Sequence, residues 1–168
     1  MPPNDVLDRP LVAAPPELLT LDTERGLVRV DAGGVVFGNG SHHATAVGGT
    51  LDLGFDGMAQ ARVEVDISGV PVDVGRIDLE RYPIAAFGLS LPSGRKPIDV
   101  PATVELGGRI LPVAMRVRRI ELGAGIVGML ADARISRRWW DVSGRSVLDR
   151  LGLRADSVRL TIAVRFLP

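Results

Sequence analysis

The chain has 168 residues, 46% of them apolar, and its 20 acidic and 20 basic side chains cancel. That length and apolar content describe one globular domain burying roughly two thirds of its unfolded surface, not a disordered chain. Zero net charge supplies no long-range attraction to nucleic acid or anionic membrane, and the lack of cysteine excludes disulfides, thiolate metal sites and a cysteine nucleophile.

Pro2, Pro3, Pro10, Pro15 and Pro16 make the start of the chain read as an extended arm, residues 1–24, with a short helix beginning at Pro16-Glu17-Leu18-Leu19. No cationic start leads into an uninterrupted apolar core, so no signal peptide is expected. No run approaches the ~20 apolar residues of a membrane-spanning helix, and a cytoplasmic location is the expectation.

From Gly26 onward, short apolar runs are separated by glycine or aspartate and mostly alternate with a period of two, the spacing of a half-buried strand. Leu51, Leu53 and Phe55 share one face; Ala61, Val63, Val65 and Ile67 share the next, and Asp56-Gly57 between them suits a hairpin turn. A second hairpin is predicted from Val100–Leu106 across Gly107-Gly108 to Arg109–Arg118, with Pro112 at an edge or bulge because it lacks an amide hydrogen. A third crosses Gly123-Ala124-Gly125 into Ile126–Ile135. In the last strand Val158, Leu160, Ile162, Val164 and Phe166 face one way, Arg159, Thr161, Ala163 and Arg165 the other. A short helix is predicted over Ser146–Leu151. Seven or eight strands with one apolar face each define an all-β fold, a sandwich or a closed antiparallel barrel, over residues 25–168.

Little in the sequence points to catalysis. His42 and His43 are adjacent, so in an extended chain they point to opposite sides; without a third ligand nearby they read as a surface loop, and no metal or cofactor is expected. No glycine-flanked serine of the nucleophile-elbow kind is present. Asp66, Asp73, Asp78 and Asp99, spaced among strands and turns, read as solvated. The segment Arg134–Val142 sets both tryptophans beside three arginines, a pattern also found on single-strand nucleic-acid platforms. One short cluster on a neutral protein supplies too little polyelectrolyte attraction, so no nucleic-acid partner is expected. A tryptophan closing one barrel end is the structural reading, and a tryptophan exposed at that rim would mark a homodimer or a membrane contact.

The order of these motifs from about Arg25 resembles the YceI-like family. GLVRVDAGGVVF is similar to its opening strands and GGTLDLGFDGMAQARVEVDISGVPVDV to its second hairpin. ERYPIAAFGLSL carries the Tyr-Pro step, here Tyr82 and Pro83, before the aromatic Phe87; VPATVELGGRILPVAMRV is similar to the strand, glycine turn and proline that follow. ADARISRRWWDV matches a late strand at Ile135, Arg137 and Trp140. The resemblance implies a lipocalin-like β-barrel that encloses an isoprenoid or similar lipid and does no catalysis. Only Gly75–Arg81 stands where members carry a polar helical stretch, which predicts a barrel mouth without that cover.

The expected ligand is therefore apolar, held by Phe37, Leu51, Leu53, Phe55, Phe87, Met115, Val117, Leu160 and Ile162, with Arg137 and Trp140 at the rim. Arg137 and Arg138 are the arginines expected to meet a phosphate or carboxylate head group. The alternative is a barrel filled by its own side chains, serving as a structural or protein-interaction module.

Overall fold

A computed structural model describes residues 17–33, 39–54, 56–144 and 157–168. Among these residues nine hydrogen-bonded strands close into an antiparallel barrel of eight staves, since β1 (Glu17–Leu21) and β2 (Leu27–Gly33) run in the same direction and share the slot between β3 (Asn39–Leu53) and β11 (Ser157–Leu167). The other staves, in spatial order from β3, are β4 (Ala59–Asp66), β6 (Ile84–Leu91), β7 (Ile98–Leu106), β8 (Arg109–Gly123) and β9 (Ile126–Ser136). Pairing of β9 with β11 over the full run from Ser136 to Val127 removes the last sheet edge.

The three predicted hairpins are present. Gly54 N–H donates to Met58 O at 2.9 Å across the Asp56-Gly57 turn, and Asp56 Oδ1 accepts the Met58 amide at 3.0 Å. Leu106 pairs with Arg109 around Gly107 and Gly108, whose φ values of 55° and 76° make the two-residue turn that matches strand twist. Pro112 lies beyond the end of the β8–β9 ladder, which begins at Met115, so its missing amide hydrogen breaks no bond to β9. Gly49 sits beside the bulge in β3, where an added Cβ would stand 2.4 Å from the Arg62 carbonyl oxygen; only glycine lets β3 and β4 approach there.

Two expectations of local conformation are corrected. Glu17–Leu21 is not a helix start in an arm but strand β1, paired with β3 and β11; Leu19 and Leu21 bury their side chains in the barrel, and that burial overrides the local helix signals. His42 and His43 lie in β3, not in a loop, because β2 extends the ladder to them: His42 pairs with Val30 and is half-buried, and His43 pairs with Arg29 and is exposed. The helix predicted over Ser146–Leu151 lies outside the described residues.

The interior is built in rows that alternate large and small side chains, as a narrow barrel requires. Leu160, Ala133 and Met115 make one row, and Ile162, Ala131 and Val117 make the next. On the opposite wall Val63, Phe87 and Val104 align, followed by Leu51, Ala61, Leu89 and Ala102. All of these are buried, and each larger aliphatic or aromatic side chain contributes about 1.5–3 kcal/mol by leaving water. Among the described residues no helix is long and apolar enough to cross a membrane.

One barrel end is covered. A separate two-stranded ribbon, β5 (Val72–Val74) with β10 (Val142–Gly144), lies across it, entered from β9 through the one-turn helix α1 (Arg137–Trp140). Ser136 caps α1 by accepting the Trp139 amide at 3.3 Å, and Asp141 ends it in the left-handed conformation, φ 53°. The mouth predicted to lack a cover has one made of strand: Val72, Asp73 and Val74 pair with Gly144, Ser143 and Val142.

Candidate functional site

Beneath the ribbon lies a cavity of about 70 Å³ whose lining, among the described residues, is apolar throughout. Val72, Val142 and Trp140 form its roof, and Phe87, Val104 and Leu160 are among its walls. The strands place them by parity. In β5 residues 72 and 74 point toward the barrel while Asp73 points away; in β11 the even-numbered residues point in. Trp140 is held by its own polar atom, Nε1 donating to the Pro112 carbonyl at 3.2 Å, so the buried indole lines the void with its one donor satisfied.

Three predicted ligand-binding residues, Phe87, Trp140 and Leu160, meet at this cavity. Met115 lies in the same row as Leu160, and Val117 and Ile162 lie one row deeper, so these three close the interior below it. Leu51 and Leu53 belong to the half nearer the Asp56-Gly57 turn and do not line it; Leu51 is fully buried and Leu53 half-buried against the core. Arg137 is buried at 4% exposure and is not part of the lining, whereas Arg138 is exposed at the rim. Phe37 and Phe55 lie outside the described residues. The roof valines were not among the predicted site residues. The alternation Val70-Pro71-Val72-Asp73-Val74 is their signal, but a strand of three residues has no partner visible in local sequence.

Among the described residues no charged group enters the cavity lining. The depressed carboxylates lie elsewhere. Asp22 is held low by its hydrogen bond from Arg165; the Ser68 amide holds Asp66 low; at Asp31 burial pushes upward and is outweighed by hydrogen bonds from Arg29 and Ser41. Among the described residues no group of three or more His, Asp or Glu is placed to hold a metal ion. The chemistry this arrangement supports is burial of hydrocarbon.

No family model matches the chain, and no curated protein does. Among solved structures it is similar to a polyisoprenoid binding domain from Saccharophagus degradans implicated in plant cell wall breakdown. The TM-score is 0.59 at 12% identity, over 89% of this chain and 97% of that one. A likeness at that identity establishes the fold, a closed antiparallel β-barrel.

Proposed function

We propose that this protein binds an apolar ligand, isoprenoid or another hydrocarbon-tailed lipid, at the covered end of its barrel and acts as a carrier rather than an enzyme. The observation that carries the reading is the cavity between Trp140 and the Phe87–Leu160 walls, apolar in all its described lining residues. The polyisoprenoid-binding barrel it resembles and the YceI-like motifs agree with it. Each methylene buried there is worth about 0.8 kcal/mol, so a chain of several methylenes offsets the cost of association without a polar contact.

Pockets for drug-sized ligands enclose about 300–1,000 Å³, so the 70 Å³ cavity is a seed that must widen. The ribbon is the element able to move. It belongs to a sheet of its own, and a two-stranded unit is marginal alone, so lifting it breaks none of the barrel ladder. The tail then lies between Trp140 and Leu160, and the Val117–Ile162 row limits how deep it reaches.

The cavity's size favours a second reading, because at 70 Å³ it is less than half the roughly 150 Å³ that admits benzene. On that reading the barrel is filled by its own side chains and works through its surface. Native mass spectrometry of freshly purified protein, with organic extraction of what it releases, separates the two. A stoichiometric hydrocarbon-bearing species lost in Val72→Phe supports the carrier. A clean apo mass that gains nothing from polyprenyl alcohols or fatty acids selects the filled barrel.

A further inference from the structure

Three exposed apolar side chains surround the tip of the β7–β8 hairpin at the covered end, and each follows an arginine in sequence. They are Arg81-Tyr82, Arg109-Ile110 and Arg138-Trp139. Trp139 is 77% exposed, Ile110 71% and Tyr82 43%, and all three arginines are exposed. Tyr82 packs over the hairpin turn, its Cδ2 lying 3.6 Å from where a Cβ on Gly107 would stand. Ile110 follows that turn directly. Trp139 adjoins Trp140, whose indole is bonded to Pro112, two residues beyond Ile110. The three therefore form one rim around the ribbon and its cavity.

Water-facing surfaces scatter single apolar residues, but an indole, a phenol and an isoleucine together, each beside a guanidinium, have the chemistry of a surface that meets lipid head groups. Aromatic rings settle at the head-group level, aliphatic side chains enter the acyl region, and guanidinium groups bond phosphate in two-point fashion. The Arg81 Cζ stands 5.5 Å over the Tyr82 ring, which keeps that cation beside the apolar anchor. Among the described residues the exposed acids at this end are Asp78, Glu80, Glu105 and Asp141, with half-buried Asp73 on the outer face of the ribbon; Glu105 pairs opposite Ile110 and lies 3.5 Å from the Arg62 guanidinium. Asp78 Oδ1 is engaged by the amides of Glu80 and Arg81 at 3.0 and 3.2 Å. The end is thus mixed in charge and suits the paired charges of a zwitterionic surface as well as an anionic one.

We propose that the covered end of the barrel docks on the surface of a phospholipid bilayer through Tyr82, Ile110 and Trp139, with Arg81, Arg109 and Arg138 on the phosphates. For its purpose the inference rests on the apolar-ligand reading: the cavity roof then faces the phase in which a hydrocarbon-tailed ligand resides, and transfer does not cross water.

The test is flotation of the full chain with phosphatidylcholine vesicles, with and without phosphatidylglycerol, comparing it with Ile110→Ser/Trp139→Ser. Both side chains are exposed, so the variant should keep the wild-type melting temperature. The proposal expects the wild type to float and the variant's bound fraction to fall roughly tenfold or more, by loss of buried apolar area. A wild type that stays with the soluble fraction overturns it, as does a variant that floats equally. A wild-type dimer that the variant dissolves assigns the rim to a second copy instead and also overturns it. Farnesol delivered from cyclodextrin, with no bilayer present, keeps the two readings apart: both proteins should bind it equally, and if neither does, the ligand reading fails while flotation still decides docking.

Discussion

Asp22 and Arg165 are joined twice: the Asp22 amide donates to the Arg165 carbonyl at 2.9 Å, and the Arg165 Nε donates to the Asp22 Oδ2 at 2.6 Å. Asp22 stands where the shared stave breaks between β1 and β2, so this clamp ties the break to β11. The guanidinium hydrogen bond holds the carboxyl below the usual aspartate range. A depressed carboxyl contributes stability above its unfolded pKa, about 3.9, and loses it as pH falls toward the folded value. Asp22→Asn should therefore melt below the wild type at neutral pH, with the gap closing under acid. Thermal melts from neutral to strongly acid pH check this, and a gap independent of pH would contradict it.

Gly107 and Gly108 separate two costs in one turn. Gly107 has φ 55° and an added Cβ would stand 2.7 Å from Ile77 Cγ2, whereas Gly108 has φ 76° with nothing within 4 Å. Gly108→Ala should cost about 1 kcal/mol, the left-handed backbone penalty alone. Gly107→Ala should cost more, about 1–3 kcal/mol, because Ile77 must also shift. Urea midpoints at constant slope measure both, and equal costs would show that Ile77 gives way freely.

Trp140 offers a graded test of the roof. Trp140→Phe removes the bond to Pro112 O and should cost about 1 kcal/mol beyond any repacking. Trp140→Ala should cost about 3–5 kcal/mol and enlarge the void. Benzene should then raise the melting temperature of the alanine variant more than that of the wild type, since a ligand that binds only the folded state stabilises it. Differential scanning calorimetry with and without benzene reads both effects.

Most of the staves were legible because alternation reports burial directly. In β11 the residues from Val158 to Phe166 alternate between buried and half-buried or exposed as the sequence alternates, and the Gly107-Gly108 hairpin follows from two positions that need positive φ. That a tryptophan closes one end was legible too, as a large apolar group after a strand; that Trp140 does so while Trp139 faces solvent was not. The rest depended on distant partners. Leu19 and Leu21 carry helix-like local signals, yet β3 and β11 claim them as strand; Val72 and Val74 find Val142 and Gly144 only once the barrel brings α1 around to them. The cavity itself follows from strand stagger and roof packing, which put Phe87 and Leu160 at the void and Leu51 well below it, a distinction that periodicity does not contain.

Trp140 also supplies the direct assay of the central claim. With Trp139→Phe the only indole left is the one in the cavity roof, so its fluorescence reports what enters. Titrated with isoprenoid alcohols of increasing length, this protein should show a saturable change whose affinity rises by up to about 0.8 kcal/mol per added methylene until the interior below Leu160 is reached. Val72→Phe, which fills the space under the ribbon, should abolish the change while leaving the fold intact. A Trp140 signal that stays flat across the whole series, in the protein with and without Val72→Phe, would contradict an apolar ligand site at this end of the barrel.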